Sequence, residues 1–597
     1  MGTILRAMAF SNPACWILGV LLIVPTQAAD SDPVAPALTE THKQFLSRLA
    51  RRTLRDSLLG REVYEASYVP GDLDAAEAEV VVRLRLKGFL LGVGQKGPAP
   101  IASALRDATL TAAELLKVGD GLPSRDFSEL LVEIEMLGSA EPIAVSVDWT
   151  QPGALDPYIE PGVHGMVISG SRGSRRFLPS ELITSDLVVP DVLKGFAQQV
   201  MSAPTEFAGC SLQRFRTLHW IESAPSADLV TLHRGMILVD SSSITRRSID
   251  ETINRLADYM IYRQRSSGRF SYQYEPAKDR YSDDDNEVRQ AGATLAVAFH
   301  ARHGGGSASL AAADLAFRRH LNGLTKIPGA SDAAFMATPD RRNKLGVTAL
   351  FALALAAHPQ ESRFADLRGK LIRGALWLQK PSGIFITAFP PAERIDGQDY
   401  FPGEALLALA EEYSLRPSAE ILEAFDRAIA FYRPYFRSER SPAFVPWQVQ
   451  AFAKMAGHTQ RQDYQDFVFE LTDWLSAMQL DSSTCPWPEL HGGIASYQAG
   501  RAGIATASYL EAFTDSLQLA RNLEDATRAS RYESVVRGAA RFVMQLQVRP
   551  EEAYYVRSPQ DVVWGMRTAP ALNLLRIDHC QHALIALIKT RNVLFPD

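Results

Sequence analysis

The chain has 597 residues, of which 46% are hydrophobic and 22% charged, and its formal net charge is −6. This length exceeds what one hydrophobic core usually spans, so we expect two domains. The composition is that of a globular protein and argues against a disordered chain and against a nucleic-acid-binding protein. The main group of basic residues, SRGSRRF at 171–177, is explained by a hairpin turn as well as by a phosphate site.

The N-terminus has the pattern of a secretory signal. Arg6 precedes the apolar run ACWILGVLLIV at 14–24, and small residues follow it. We expect residues 1–28 to be removed and the mature protein to be periplasmic or secreted. The apolar run is shorter than the roughly 20 residues that cross a membrane, and no later segment supplies a span. An uncleaved membrane anchor is the alternative.

Cysteines are few. Cys15 belongs to the signal, which leaves Cys210, Cys485 and Cys580, so the chain has no disulfide framework. In an oxidising compartment Cys485 and Cys580 could form one bridge. The alternative, which we prefer for Cys210, is an isolated buried thiol.

The first domain, at 36–245, is predicted to be mixed α+β. Residues 38–60 place apolar side chains on one face of a helix that ends at Gly60, and the pattern then changes to the alternation of strands. Helical spacing returns at 100–116. The predicted strands cover 79–94, 130–137, 144–149 and 165–169.

A glycine motif separates the first of these strands from its helix. Residues 92–97 read GVGQKG and fit GxGxxG, with Glu114 where a ribose-binding acid would lie. Pro98 and Pro100 follow at once, however, and the later strands do not alternate with helices. We therefore interpret the motif as a glycine-rich turn and expect no cofactor.

Residues from about 40 to 220 resemble the AMMECR1 family. That family carries a short LRGCIG-type motif, which corresponds here to LKGFLLG at 86–92, and a glycine-rich hairpin with a leucine-proline pair, which corresponds to 162–182. The strand-like 215–222 closes the match. Phe89 stands where the family has cysteine. The resemblance implies a fold rather than an activity, and a catalytic first domain is the less favoured alternative.

The second domain, at 246–597, repeats itself. Four segments each run from an apolar helix into a glutamine and then a loop, which is the signature of a repeat. They are 255–274, 375–389, 474–497 and 541–555. Between them lie Ala-rich helices at 288–301, 348–358, 403–413, 428–436 and 506–520.

These repeats predict an all-α domain of about ten to twelve helices. We expect an α/α toroid, in which an inner ring of helices packs inside an outer ring. The pattern resembles the six-hairpin toroids of glycoside hydrolases, polysaccharide lyases, uronyl epimerases and terpene cyclases. In that architecture the loops at one end of the barrel build the cleft, and polar residues at the helix starts become candidates.

The candidates are carboxylates, aromatic residues and basic residues at such positions. Carboxylates that face one another could divide acid and base roles, and aromatic rings and arginines suit sugars and uronates. The predicted catalytic residues are Asp284, Asp285, Glu404 and Asp578. The predicted substrate-binding residues are Tyr272, Asn286, Arg289, Tyr400, Trp447, His491, Arg576 and His582. The structural alternatives are that Glu404 caps its helix or answers the helix dipole, and that Asp578 and His582 form a surface or capping pair.

We predict no metal site. A calcium loop starting at Asp283 would need glycine at Val288 and glutamate at Thr294, and it has neither. Zinc at 578–582 is an alternative that helical geometry disfavours, because neighbouring residues point to different faces. In the run DDDNE we instead expect Asp284 and Glu287 to form a capping box.

Two functions follow from these observations. The first is an exported carbohydrate-active enzyme of glycoside hydrolase, lyase or epimerase type. Its expected ligand is a glycan, with uronate-containing glycans among the candidates, or another small polar molecule. The second is a non-catalytic glycan- or peptide-binding protein. Convergence of Asp284, Glu404, His491 and Asp578 would favour the enzyme. The sequence does not indicate the oligomeric state.

Overall fold

The computed structural model describes residues 38–66, 68–118, 126–143, 153–170, 173–200, 210–327, 329–339, 342–389, 394–496 and 500–596. The expected signal, Cys15 and the predicted strand at 144–149 lie outside these residues. Within this part of the chain, no helix is both long and apolar enough to cross a membrane.

The first domain is an antiparallel sheet with helices, as predicted. Its helices are α1 (Glu40–Leu58), α2 (Gly71–Ala75), α3 (Ile101–Val118), α4 (Pro179–Thr184) and α5 (Val189–Val200). Its strands are β1 (Glu77–Leu86), β2 (Phe89–Pro100), β3 (Leu131–Leu137), β4 (Glu141–Pro142), β5 (His164–Gly170), β6 (Gly173–Phe177), β7 (Ser211–Glu222) and β8 (Leu229–Leu232). The main path of the sheet is β2-β1-β3-β7-β5-β6.

The glycine motif is not a turn, and that prediction is wrong. The chain turns earlier, at Lys87 and Gly88, which both have positive φ, so the predicted strand at 79–94 is a hairpin. The motif residues lie inside β2. A Cβ at Gly92 or Gly94 would overlap the backbone of α3, so the glycines let this helix lie close against the strand.

The two faces of this sheet differ in chemistry. One face packs its apolar side chains, among them Val82 and Ile134, against α1 and α3. The other face carries a set of charged groups that we call the sheet-face network. Its members are Arg83, Arg85, Glu133, Glu135 and His219, and all are buried.

The second domain is a closed ring of helices. The inner ring is α7 (Glu287–Arg302), α9 (Leu345–Ala357), α11 (Phe401–Leu415), α13 (Val445–Thr459), α15 (Ala505–Asn522) and α17 (Ile577–Leu594). The outer helices are α6 (Arg246–Tyr262), α8 (Gly306–Leu321), α10 (Ala365–Trp377), α12 (Ala419–Ser438), α14 (Gln462–Ser476) and α16 (Ala526–Gln545). Each inner helix contacts the next, and α17 contacts α7. This is the predicted α/α toroid.

The repeated glutamines explain the sequence pattern. Gln264 follows an outer helix, and its amide donates to the carbonyl of Ala312 in α8, the next outer helix, at 2.9 Å. Equivalent bonds join Gln379 to Ala424 at 2.9 Å, Gln479 to Val535 at 2.9 Å and Gln547 to Thr252 at 3.2 Å. Because Thr252 lies in α6, the last of these bonds links the two ends of the ring.

The structure differs from one expectation for this region and decides two points that the sequence left open. The second domain is not all-α as expected, because its loops hold short strands: β9 (Gln273–Glu275), β10 (Arg280–Tyr281), β11 (Leu324–Ile327), β12 (Ala330–Met336), β13 (Arg567–Ala569) and β14 (Leu572–Arg576). The Ala-rich segment 428–436 belongs to the outer helix α12. Cys485 and Cys580 are both free and buried, so the bridge is not formed.

The first domain packs on the toroid near the start of the inner helices. Since the chain alternates between outer and inner helices, all six inner helices begin at the same end, which we call the mouth. Arg234 of the first domain donates to Glu489 in the loop before α15 and to Glu160, both at 2.5 Å. A second bond joins the two domains, because Asn573 of β14 donates its backbone N–H to Asp186 of the first domain at 2.9 Å.

Candidate functional site

Glu404 lies in the first turn of α11 with its carboxyl group inside the toroid. The residue is 5% exposed, and its Oε2 has no hydrogen-bond partner among the described residues. A Cβ at Gly346 would overlap this oxygen, so glycine in α9 provides the space for it. Burial raises the pKa of Glu404 to about 8, against the smaller opposing effects of His582 and Lys344. Glu404 is therefore a neutral acid at neutral pH, and the helix-cap interpretation is wrong.

His582 stands beside Glu404 on α17. Its Nδ1 lies 2.7 Å from Glu511 Oε1, and its ring centroid lies 5.7 Å from that of Trp447. Burial opposes the charged imidazole, but the carboxylate of Glu511, with that of Asp578, raises the pKa of His582 above its ordinary value. The imidazole therefore holds its proton more firmly than a free histidine does.

Asp578 is the ionised carboxylate of the same helix. Arg289 of α7 lies 3.1 Å from it, and Arg576 donates to it at 2.8 and 3.0 Å. Burial alone would raise its pKa, but the neighbouring His579 imidazole and the guanidinium groups of Arg289 and Arg576 together outweigh burial and lower the pKa below the usual range. The surface-pair interpretation is therefore wrong, because the partners of Asp578 are arginines and the partner of His582 is Glu511.

Aromatic side chains stand around these groups. Arg289 donates to the hydroxyl of Tyr272 and lies 5.5 Å from the centroid of its ring. Tyr400, just before α11, is 49% exposed, and partial desolvation together with the charge of Asp399 raises its pKa. Gln448, next to Trp447, has both amide atoms buried without a hydrogen-bond partner in the described part of the chain. The cluster thus offers rings and free polar atoms to a ligand.

The aspartate run has a different role from the one predicted. Helix α7 begins at Glu287, and its cap is Asn286, which accepts from the N–H groups of Val288 at 3.0 Å and Arg289 at 3.3 Å. The predicted capping box is therefore wrong. Asp284 lies too early in the chain to cap this helix; it is exposed and bonds Ser282 at 3.1 Å.

Asp285 and Asn286 line a pocket of about 290 Å³. It lies beside the group of side chains around Glu404, His582 and Asp578, which we call the Glu404 cluster. Asp285 is paired with Arg269 and accepts from Gln290 at 2.8 Å. Lys344 lines the same pocket, and its charge also acts on Glu404. The pocket and the cluster are therefore neighbouring parts of one mouth.

The structure separates the twelve predicted site residues into three groups. The Glu404 cluster contains Glu404, Asp578, Tyr272, Arg289, Tyr400, Trp447, Arg576 and His582, and the adjoining pocket contains Asp285 and Asn286. Asp284 stays on the surface. His491 contacts its own loop, with Nε2 at 2.8 Å from the carbonyl of Cys485, and its carbonyl accepts from Arg541 at 3.0 Å. The enzyme hypothesis expected Asp284 and His491 to converge with Glu404 and Asp578, and they do not.

Glu511 and Gly346 are among the contributors that the sequence did not reveal. Glu511 sits within the Ala-rich helix at 506–520, where a buried glutamate in an apolar helix was the available signal. Gly346 gave no signal, because its role depends on a side chain from another helix. Among the described residues, no three His, Cys, Asp or Glu side chains are arranged to hold a metal ion.

Comparison with known proteins gives distant likenesses. No protein-family model matches the sequence, and no curated protein is detectably similar to it. A structure of an uncharacterized protein from Pyrococcus horikoshii is 19% identical, with 33% of this chain and 98% of that chain covered and a TM-score of 0.28.

Two further structures match a larger share of the chain. The unsaturated glucuronyl hydrolase of Bacillus sp. GL1 is 11% identical, covering 57% of this chain and 96% of that chain with a TM-score of 0.42. Cellobiose 2-epimerase from Bacillus thermoamylovorans is 9% identical, covering 57% and 99% with a TM-score of 0.43. TM-scores below 0.5 do not establish a shared fold, so the toroid is assigned from its closed ring of helices.

Proposed function

We propose that the mouth of the toroid binds a carbohydrate and acts on it by acid and base chemistry, with Glu404 as the proton donor. The observation that carries the proposal is a pair of carboxyl groups whose pKa values move in opposite directions. Burial raises the pKa of Glu404 to about 8, while the pKa of Asp578 is lowered beside two arginines. Environments that separate two carboxyl groups in this way assign one as acid and the other as anion.

The chemistry follows from these two states. A protonated Glu404 can donate its proton to the oxygen of a glycosidic bond as that bond breaks. The carboxylate of Asp578 can stabilise the positive charge that develops on the sugar ring. His582, held by Glu511, provides a second proton next to Glu404. This division of roles suits hydrolysis, elimination or epimerisation, and the substrate decides among them.

The groups around the acid favour a sugar that carries a carboxylate. Arg289 and Arg576 hold Asp578, and Lys344 lines the neighbouring pocket while its charge acts on Glu404. Guanidinium groups bind carboxylates in a fork, and the exposed ring of Tyr400 can pack against a sugar face. We therefore place uronate-containing glycans first among substrates. The proposal keeps two predictions from the sequence, export by the signal at 1–28 and an AMMECR1-like first domain.

Binding without catalysis is the second candidate function, and one observation favours it. Asp578 already has two arginine partners, so it is less free to accept a proton than a solitary carboxylate. A protein that only holds a glycan or a peptide would use the same arginines and rings without needing Glu404 as an acid.

One experiment separates the two functions. Purified protein lacking residues 1–28 is screened against uronate-containing and neutral polysaccharides, beside Glu404→Gln. We expect the variant to lose about 10²- to 10⁴-fold in rate, the contribution of a general acid, while binding persists. Glu420→Gln, an exposed first-turn glutamate of α12, is the matched control and should keep full activity. Binding without any turnover by the wild type would leave the second function alone standing.

A further inference from the structure

A cavity of about 460 Å³ runs inside the ring of inner helices, and all six helices line it. It includes Arg302, His303 and Leu415, which lie at the C-terminal ends of inner helices, and Arg302 is exposed. At its inner end the cavity reaches Trp447 and Glu511. The cavity, which we call the lumen, therefore opens at the end of the toroid opposite the mouth.

The lumen reaches the back of the proposed active site without including its acid. Glu511 lines the lumen and holds His582, and Trp447 lines it and lies against the same imidazole. Glu404 and His582 themselves do not line it. These two residues belong to the wall between the lumen and the mouth.

The lumen is lined by equal numbers of basic and acidic side chains, namely Arg302, Lys454 and Lys589 and Glu411, Glu511 and Asp515. Lys454 pairs with Glu411 at 2.8 Å, and Lys589 pairs with Asp515 at 2.8 Å and donates to Gln450 at 3.0 Å. Each lysine has an acidic partner on another helix. Such paired groups attract no net charge, yet they present donors and acceptors side by side, which is what hydroxyl groups require.

The remaining walls are apolar and aromatic. Phe299 of α7 and Trp447 of α13 contribute rings, and leucines and Ile585 fill the space between the charged pairs. Small-molecule sites have this make-up of apolar walls with a few placed polar groups, in volumes of roughly 300–1,000 Å³. Aromatic rings pack against the C–H faces of sugars while the polar groups bind their hydroxyls.

We propose that the lumen is a second binding site that takes an uncharged sugar of one or two rings from the end opposite the mouth. Its balanced charge distinguishes it from the mouth, where the arginines favour a carboxylate. Glu511 belongs to both sites, because it lines the lumen and also bonds His582. The lumen is a separate site from the mouth, so this inference goes beyond the proposed function. Binding to the lumen can be measured whether or not the mouth turns over a substrate.

The test is calorimetric titration of the full chain with glucose and cellobiose as neutral probes and glucuronate as the charged probe. Two lumen variants are compared with one mouth variant. Leu407→Trp fills the lumen from α11, and Lys454→Met removes one donor with little change of volume. Tyr400→Ala alters the mouth alone, and Ala419→Trp, on the exposed start of α12, controls for an added tryptophan.

We expect a neutral probe to bind the wild type, Tyr400→Ala and Ala419→Trp alike. Lys454→Met should weaken it by about 10-fold or more, the usual loss for a hydrogen bond to a charged group, and Leu407→Trp should abolish it. Lys454→Met keeps the test decisive if Leu407→Trp does not fold. Binding that persists in both lumen variants, or that is absent from the wild type, overturns the site. A lumen that prefers glucuronate overturns the ligand class, and neither result bears on Glu404.

Discussion

Two buried polar clusters in this protein use their charges differently. In the sheet-face network, Arg83 donates to Glu133 at 3.1 Å and to Glu135 at 2.9 Å, and Arg85 donates to Glu133 at 2.6 Å. His219 Nε2 lies 3.0 Å from Glu133 as well. At the mouth of the toroid, by contrast, Glu404 keeps a buried carboxyl oxygen that no described residue bonds.

The difference separates a structural role from a functional one. Buried polar groups are nearly always hydrogen-bonded in native proteins, so a network whose charges are all paired needs no ligand to explain it. The ring of Tyr554 from the toroid lies 5.9 Å from that of His219 and 5.3 Å from the Arg85 guanidinium, which places the network at the domain contact. An unpaired acid with a displaced pKa is instead typical of a functional site.

Removing Arg83 should have the largest effect on stability. Arg83→Met leaves the carboxylates of Glu133 and Glu135 buried with fewer partners, which costs about 3–5 kcal/mol of the free energy of unfolding. The measurement is denaturant unfolding at pH 7. The control is Arg247→Ala, whose ion pair with Glu251 is on the surface, with the arginine side chain 90% exposed, and should cost less than about 1 kcal/mol. Equal costs for the two variants would remove the contrast between network and surface.

The pH dependence of Glu404 tests the other side of the comparison. The folded protein raises the pKa of Glu404 from 4.5 to about 8, so the folded state binds the extra proton between these values. Stability from this group is complete below pH 4.5 and is lost as the pH rises through 8. At about 1.4 kcal/mol per pKa unit, wild type should lose roughly 2–4 kcal/mol relative to Glu404→Gln between pH 5 and pH 9. Parallel stability curves for the two proteins would show that the carboxyl is not a buried neutral acid.

The space for the Glu404 carboxyl can be tested at Gly346. In Gly346→Ala the new methyl group meets the carboxyl oxygen, and such overpacking costs about 1–3 kcal/mol. The variant should also displace the acid and slow any turnover found in the polysaccharide screen. Gly457→Ala in α13 is the matched control, because its Cβ would meet no described atom within 4 Å. That change should stabilise the protein by about 0.5–1 kcal/mol. A harmless Gly346→Ala would mean that Glu404 does not point into the ring.

The smallest effects concern the aspartate run. Asn286→Ala removes the cap of α7 and should cost about 1 kcal/mol. Asp284→Ala removes an exposed side chain that bonds Ser282, and should change the free energy of unfolding by less than about 0.5 kcal/mol. Thermal unfolding of both variants compares them directly. If Asp284→Ala costs as much as Asn286→Ala, the run has a role that its surface position does not explain.

Much of the fold could be predicted from local pattern. The first helix ends where Gly60 adopts a positive φ, and the spacing of apolar residues predicted α3, β3 and β5. The GxGxxG run was misplaced because glycine marks both turns and close packing, and the sequence does not distinguish them. The sequence also left the Cys485–Cys580 disulfide undecided, because the positions of two cysteines in a chain do not give the distance between them.

The candidate site could be predicted only in part. Glu404, Tyr400, Asp578 and His582 were chosen because they are polar residues at the starts of predicted inner helices, and the ring brings that end of each helix together. His491 met the same criterion and lies elsewhere, because its loop is held against the first domain through Arg234 and Glu489. Asp284 failed because its position depended on where one helix begins, and a shift of two residues moved the cap to Asn286.

The sequence by itself determined the repeated hairpins, since helix period and the glutamine after four of the six outer helices are local properties. Those glutamines also help to close the ring, because each side-chain amide donates to a backbone carbonyl of the next outer helix. Only the tertiary structure decided the chemistry. The pKa of Glu404 depends on burial in the space that Gly346 leaves. The charge of Asp578 depends on Arg576, just before its own helix, and on Arg289 of α7. Burial and long-range contacts are properties of the assembled helices, so no single segment contains them.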